Sequence, residues 1–182
     1  MGAVDKALLP FAGAPLLAQV IARLEPQVEA LALSANGDAA RFAGFGLPVL
    51  ADGVAMGPLS GVLAGLRWAA AQGATAVLTV PVDGPFLPGD LCPRLCLAAE
   101  GSFKGLAIAR AGGRLHPTYG LWPVGLAGDL AAFLASGVKP KLMDFAGQHG
   151  AAVADFADEA GFMNLNTPDD LARAVAMLGR DV

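Results

Sequence analysis

Residues 58–83 read PLSGVLAGLRWAAAQGATAVLTVPVD. The first half places Leu59, Val62, Leu63 and Leu66 at helical spacing behind a proline suited to a first turn, and predicts a helix over 58–71. The second half, Ala74 to Val80, is an unbroken apolar run without alternation. That is the pattern of a strand covered on both faces, as in a parallel sheet. The run ends at Pro81-Val82-Asp83. A helix feeding such a strand is the unit of an open α/β sheet, in which ligands sit beyond the carboxyl ends of the strands.

The flanks repeat the unit. Leu16, Leu17, Val20, Ile21 and Leu24 predict a helix from Pro15 to Leu24, and Val28 to Leu33 predicts a short buried strand closed by Ser34-Ala35-Asn36-Gly37. Asp38 can cap a brief helix to Ala43, and Pro48 to Leu50 reads as a strand ending at Asp52-Gly53. Further helices are expected over 89–99, 126–135 and 142–148, and a strand over 152–156. Residues 106–110 and 118–122 flank Gly112-Gly113 and predict a hairpin, which makes the sheet mixed. Thr167-Pro168-Asp169-Asp170 opens a last helix with Thr at the N-cap, Pro at the first position and acids in the first turn. The expected fold is one doubly wound α/β domain with a mostly parallel, mixed sheet. The strand-end rule then selects Asn36, Asp52 and Asp83 as candidates to face a ligand.

Composition narrows the function classes. Twelve basic against sixteen acidic residues give a net charge of −4, which argues against a protein that coats nucleic acid. An acidic protein that binds an anionic nucleotide needs a metal ion, a lysine or backbone N–H groups at the site. Mean hydropathy is +0.55, yet charges interrupt the long apolar runs at Arg67 and Asp129, so no membrane span is expected. The uncharged stretch 7–22 contains Pro10, Gly13 and Pro15, and Asp5 cancels Lys6 beside it, which argues against a signal-peptide core. Cys92 and Cys96 share a helix face with no histidine nearby and read as small core residues.

Several motifs occur in an order that carries more information than any one of them. Met1-Gly2-Ala3-Val4-Asp5-Lys6 resembles the second half of a phosphate-binding loop ending in R-M-G-x-D-K. Ser34-Ala35-Asn36, Gly57-Pro58-Leu59-Ser60-Gly61, the run from Val80 to Pro88 and His116-Pro117-Thr118 follow. Phe162-Met163-Asn164-Leu165-Asn166-Thr167-Pro168-Asp169-Asp170-Leu171 resembles F-x-N-(I/V)-N-T-P-E-D-L. Together these resemble the molybdenum-cofactor guanylyltransferase family, the MobA-like nucleotidyltransferases with a Rossmann-like fold, over essentially the whole chain. The resemblance implies a cytoplasmic enzyme that uses Mg²⁺ to transfer GMP from GTP to molybdopterin, bare or molybdenum-loaded, alongside other assembly proteins of that cofactor. It starts inside the phosphate loop. On this reading residues 1–182 form a single nucleotidyltransferase domain lacking the family's first strand, the Gly-rich half of the loop and its arginine. In-frame codons for them are expected upstream of Met1.

The resemblance also assigns roles. Lys6 neutralises phosphate charge, and Asp83, past an apolar strand and before Gly84-Pro85, holds Mg²⁺, which takes one or two carboxylates plus phosphate oxygens and waters. Lys6 and Asp83 are thus the catalytic candidates. Asp52 can accept from both donors on guanine's Watson–Crick edge, or can simply begin an Asp-Gly turn. Asn36 suits base or ribose contacts, or an Asx turn. Asn164 and Asn166 flank Leu165 and point one way in an extended segment, toward molybdopterin, or brace the last helix. Lys139 and Lys141 could meet the molybdopterin phosphate or be solvated. Two alternatives stay open: a sibling enzyme using CTP or another acceptor, and a non-catalytic nucleotide- or molybdopterin-binding protein.

Overall fold

The computed structural model describes residues 5–52, 57–137 and 141–178. Met1 to Val4, the first part of the loop motif, and Lys139 lie outside them. A one-turn 3-10 segment, Lys6–Leu8, leads into a two-residue hairpin of β1 (Pro10–Phe11) and β2 (Ala14–Pro15). Helix α1 (Leu16–Leu24) follows directly and buries the expected Leu16, Leu17, Val20 and Leu24. β3 (Leu33–Ser34) pairs in parallel with β4 (Val49–Leu50), Leu33 opposite Val49 and Ser34 opposite Leu50. Residues 28–32, expected to extend β3, have no ladder partner among the described residues. The brief helix after Asp38 is a 3-10 segment, Ala39–Phe45, capped by the Asp38 carboxylate on the Ala40 amide at 2.9 Å.

Helix α2 (Pro58–Ala71) and β5 (Ala76–Thr79) form the expected pair. α3 (Leu91–Ala99) comes next, and β6 (Ala107–Ala111) and β7 (Arg114–Pro123) then form the hairpin. Both turn residues, Gly112 and Gly113, have positive φ of 55° and 74°, the conformation that glycine supplies in a tight hairpin turn. α4 (Ala127–Ala135), α5 (Leu142–Gln148), β8 (Ala152–Phe156) and α6 (Pro168–Leu178) complete the chain.

The four-stranded sheet runs β5-β7-β6-β8. β7 is antiparallel to both neighbours, and β6 and β8 are parallel, so the sheet is mixed as expected. β5 is covered on both faces, as its apolar run implies. Ala76 and Leu78 pack with Leu91, Leu95 and Tyr119, while Val77 packs on the opposite side with Leu63, Leu66 and Trp122. Its one described neighbour is antiparallel, because continuous hydrophobicity reports two-sided burial and not strand direction. The layers are therefore α3 on one face, α2 with α4 and α5 on the other, and the sheet between. α2 also packs on β3 and β4 and so ties the two sheets together. No helix among the described residues is long and apolar enough to cross a membrane.

The β6–β7 ladder breaks in register between Ile108 and Ala109, where the partner moves from Gly120 to His116. The intervening Pro117-Thr118-Tyr119 bulge out, at a proline that could not donate to a ladder. Tyr119 is fully buried there, edge-on to Phe162 at 4.9 Å.

Candidate active site

The site assembles where β3, β4 and β5 end and the chain's first and last described segments meet. Asp5 caps the Lys6–Leu8 turn by accepting from the Ala7 amide at 3.2 Å. This fixes Lys6 at the start of the turn with its ammonium outward. The Lys6 Nζ donates to Asn166 Oδ1 at 2.5 Å and lies 3.6 Å from Asp83 Oδ2. Three residues drawn from three separate motifs thus share one ammonium, across a sequence separation of 160. Asp83 is the more buried of the charged pair, its side chain 16% exposed against 45% for Lys6.

The loop after β5 is held from the C-terminal side. The Leu165 amide donates to the Asp83 carbonyl at 2.8 Å, and the Leu165 side chain is buried with Phe11, Leu16 and Ala174. Burying Leu165 leaves its neighbours Asn164 and Asn166 exposed, as period-two alternation requires. Asn166 also touches the last helix, but through its backbone, whose amide donates to Asp170 Oδ2 at 3.1 Å. Thr167 and Asp170 cap reciprocally, with Thr167 N to Asp170 Oδ2 at 2.9 Å and Asp170 N to Thr167 Oγ1 at 3.1 Å. The bond with Thr167 and the Arg173 guanidinium hold the Asp170 carboxyl down at about 2.

Asn36 and Asp52 lie two residues past the last paired residues of β3 and β4, so the parallel register sets them side by side. The Asp52 amide donates to Asn36 Oδ1 at 3.3 Å, and this contact between strand ends replaces the local Asx turn. Asp52 Oδ1 is buried and has no hydrogen-bond partner among the described residues. A carboxylate oxygen held out of water without a donor is costly and so marks a place for a ligand's donor.

Sequence reasoning missed Arg41. Its Nε donates to Asp5 Oδ2 at 2.8 Å, its NH2 group donates to the Asn36 carbonyl at 2.7 Å, and its NH1 group donates to the Asp38 carbonyl. Arg41 thereby locks the Lys6 turn to the Asn36 loop. Nothing in the periodicity of residues 39–45 singles it out. Tyr119 was missed as well: its hydroxyl is buried beneath the Asp83 loop without a partner among the described residues, and a Cβ on Gly84 would sit 1.9 Å from it. Burial, then the Asp83 charge, pushes the phenol well above its ordinary pKa. Lys141 is exposed at the flank of α5. Cys92 and Cys96 are free, and burial, then its neighbour Cys96, pushes the Cys92 thiol up to about 11, which makes it a poor nucleophile.

Asp83 belongs to no group of three or more His, Cys, Asp or Glu among the described residues. That donor set fits a hard divalent cation that draws its remaining ligands from a nucleotide's phosphates and from water.

The chain is similar to known proteins over its whole length. A family model described as the MobA-like NTP transferase domain matches residues 1–153. The molybdenum cofactor guanylyltransferase of Cereibacter sphaeroides is 62% identical over 181 residues, covering 100% of this chain and 92% of the relative. In fold, the chain is similar to the molybdopterin-guanine dinucleotide biosynthesis protein A from Archaeoglobus fulgidus, with a TM-score of 0.76 and 19% identity over 98% of this chain and 92% of that one. A Mycobacterium tuberculosis protein solved in complex with manganese has the same fold, with a TM-score of 0.65 and 16% identity over 96% of this chain and 93% of that one. With the family model spanning most of its length and a relative this similar from end to end, the chain belongs to the MobA-like NTP transferase family.

Proposed function

We propose that this protein transfers GMP from GTP to molybdopterin and releases pyrophosphate. The observation that carries the reading is the Lys6 ammonium, held between the Asp83 carboxylate at 3.6 Å and Asn166 at 2.5 Å. It sits where the nucleotide side of the cleft, Asn36 and Asp52, meets the C-terminal Asn164-Leu165-Asn166 segment.

A phosphate oxygen of the acceptor attacks the α-phosphorus of GTP. A new P–O bond forms, the bond from the α-phosphorus to the bridging oxygen breaks, and pyrophosphate leaves with the electron pair. The nucleophile is already an anion, so no general base is needed and catalysis is mostly positioning and charge neutralisation. Lys6 supplies a positive charge to the phosphates. Asp52 accepts from the guanine N1–H and 2-amino groups, with Asn36 fixing the loop beside it. Asn166 sets the lysine's position, and Asn164 faces the acceptor. Asp83 would hold a divalent cation such as Mg²⁺, which when bound would supply neutralisation of phosphate charge. The similarity to molybdenum cofactor guanylyltransferases supports both the substrates and the reaction.

The test is pyrophosphate release from GTP with molybdopterin, titrated with Mg²⁺, with circular dichroism as the control for folding. Asp83→Ala is expected to abolish transfer and leave the fold intact, because the ion-pair partner of its carboxylate is the exposed Lys6 ammonium and not a core element. Asp83→Asn is nearly as damaging, since a neutral amide oxygen binds a hard dication poorly. Near wild-type turnover of Asp83→Ala at limiting Mg²⁺ would overturn the assignment.

A further inference from the structure

The two halves of the nucleotide site stand on separate pieces of chain. Lys6 opens the one-turn Lys6–Leu8 segment, and Asn36 and Asp52 follow the β3–β4 pair, with no strand ladder joining the two pieces among the described residues. A run of four hydrogen bonds connects them instead. The Ala7 amide donates to Asp5 Oδ1 at 3.2 Å, and Arg41 Nε donates to Asp5 Oδ2 at 2.8 Å. Arg41 Nη2 donates to the Asn36 carbonyl at 2.7 Å, and the Asp52 amide donates to Asn36 Oδ1 at 3.3 Å.

Arg41 has little freedom at the centre of that run. Its Nη1 donates to the Asp38 carbonyl, so every guanidinium nitrogen is engaged by the protein itself. The Arg41 and Asp5 side chains are both partly buried. The next residue, Phe42, is buried with Ala7, Leu17 and Leu33, and Val82 packs against the same cluster. This apolar anchor reaches the Lys6 turn on one side and the residue before Asp83 on the other. Gly37 leaves room for the fork: its φ is +82°, and a Cβ there would stand 3.4 Å from Arg41 Nη1. A planar fork holds partners in several directions at once, which the point charge of an ammonium does not.

We propose that Arg41 is a positioning residue that fixes the spacing between the base site at Asn36 and Asp52 and the phosphate site at Lys6. The assignment rests on the reading that GTP binds with its guanine at Asp52 and its phosphates at Lys6. Two half-sites held at one spacing bind the joined ligand far more tightly than either end alone, because the second contact is made intramolecularly. That gain disappears when the spacing is no longer held. The Arg41 guanidinium is engaged by a carboxylate and two carbonyls of the protein, so its contribution is to the joined nucleotide and not to either part. By the same link it holds Lys6 where the phosphates of a seated guanine nucleotide arrive.

The experiment titrates the full chain at fixed Mg²⁺ with guanosine, with inorganic triphosphate and with GTP. The GTP affinity divided by the product of the other two gives the effective concentration of one end at the other end's site. Arg41→Met lowers that ratio about tenfold or more, while guanosine and triphosphate each change by less than about twofold. Arg41→Lys, which keeps the charge without the fork, recovers part of the loss at most. Asp5→Asn keeps an amide oxygen for the Ala7 cap but offers Arg41 no second acceptor. It weakens GTP in the wild-type background and adds nothing to Arg41→Met. An unchanged ratio in Arg41→Met overturns the proposal. So does an equal loss for all three ligands, which would make Arg41 a support of the fold, and so does a loss confined to guanosine or to triphosphate, which would make it a direct contact. If the ratio falls as described but wild type releases no pyrophosphate with molybdopterin, the link stands and the transfer reading fails. If Arg41→Met transfers GMP with wild-type kcat and KM for GTP, the link fails and the transfer reading stands.

Discussion

Two single oxygens, both buried and both without a partner among the described residues, set what individual residues are expected to do. Asp52 Oδ1 awaits a donor. Asp52→Asn is expected to weaken GTP by about 1.5–3 kcal/mol, the range for hydrogen bonds to a charged group, while ATP is little affected. ITP, which lacks the 2-amino group, should bind wild type more weakly than GTP, and equal binding would show that Asp52 does not read that group. The Tyr119 hydroxyl differs, because it faces the Gly84 backbone and not the open cleft. Deleting a buried polar group that has no partner is neutral or stabilising. Tyr119→Phe is therefore expected to raise stability by zero to about 1 kcal/mol in denaturant melts. Gly84→Ala destabilises through a Cβ placed 1.9 Å from that oxygen, and the loss should shrink in the Tyr119→Phe background. A double mutant no better than Gly84→Ala alone would remove Tyr119 as the cause.

At the scale of elements, α2 holds the nucleotide-side loops in place, and two of its glycines make different contacts. A Cβ on Gly61 would come within 2.7 Å of Ser34 Oγ, at the end of β3, whereas one on Gly65 would meet Val77 Cγ1 at 3.4 Å. Gly65→Ala is expected to be neutral or to gain up to about 1 kcal/mol from helix propensity. Gly61→Ala should push Ser34, shift Asn36 two residues on, and raise the KM for GTP more than it lowers Tm. The reverse order in Tm and KM would refute this. The elements also show where the sequence is legible. α2, α1 and the Thr167 cap are read well because helical spacing and capping chemistry are local. β3 came out at two residues where 28–33 was expected, because an apolar run reports burial and a strand exists only where a partner lies alongside. The direction of β7 against β5 is likewise set by the hairpin with β6, far from the stretch that predicts β5. At the site, Lys6, Asn36, Asp52, Asp83 and the two asparagines stand out because motif order and strand ends point to them. Arg41 and Tyr119 belong to no such pattern, and only the folded arrangement brings them against the loops that carry the site.

Over the whole molecule, the segment from His116 to Asp170 ties stability to pH in two separate steps. Burial, then the charge of Arg114, holds the His116 imidazole below its ordinary pKa, against smaller opposing effects of the Ala111 backbone and Glu159. A histidine with a depressed folded pKa binds fewer protons folded than unfolded, so stability rises with pH through that window. It is lost as pH falls from about 6.5 toward the lower folded value. Asp170 is also depressed, to about 2, by Thr167 and then Arg173. A carboxylate of that kind contributes stability that is complete above its unfolded value near ~4 and is lost as pH falls toward about 2. Tm measured from pH 8 to pH 3 should therefore hold level, fall once below about 6.5 and fall again below about 4. His116→Gln should remove the first fall alone, and Asp170→Asn should shrink the second, to which the Asp155 carboxyl, held down by Arg110, also contributes. The two groups lie on different elements and act on different partners, so the double variant should combine the two changes additively. A first fall that survives His116→Gln unchanged would show that burial of this imidazole is not what destabilises the protein in mild acid.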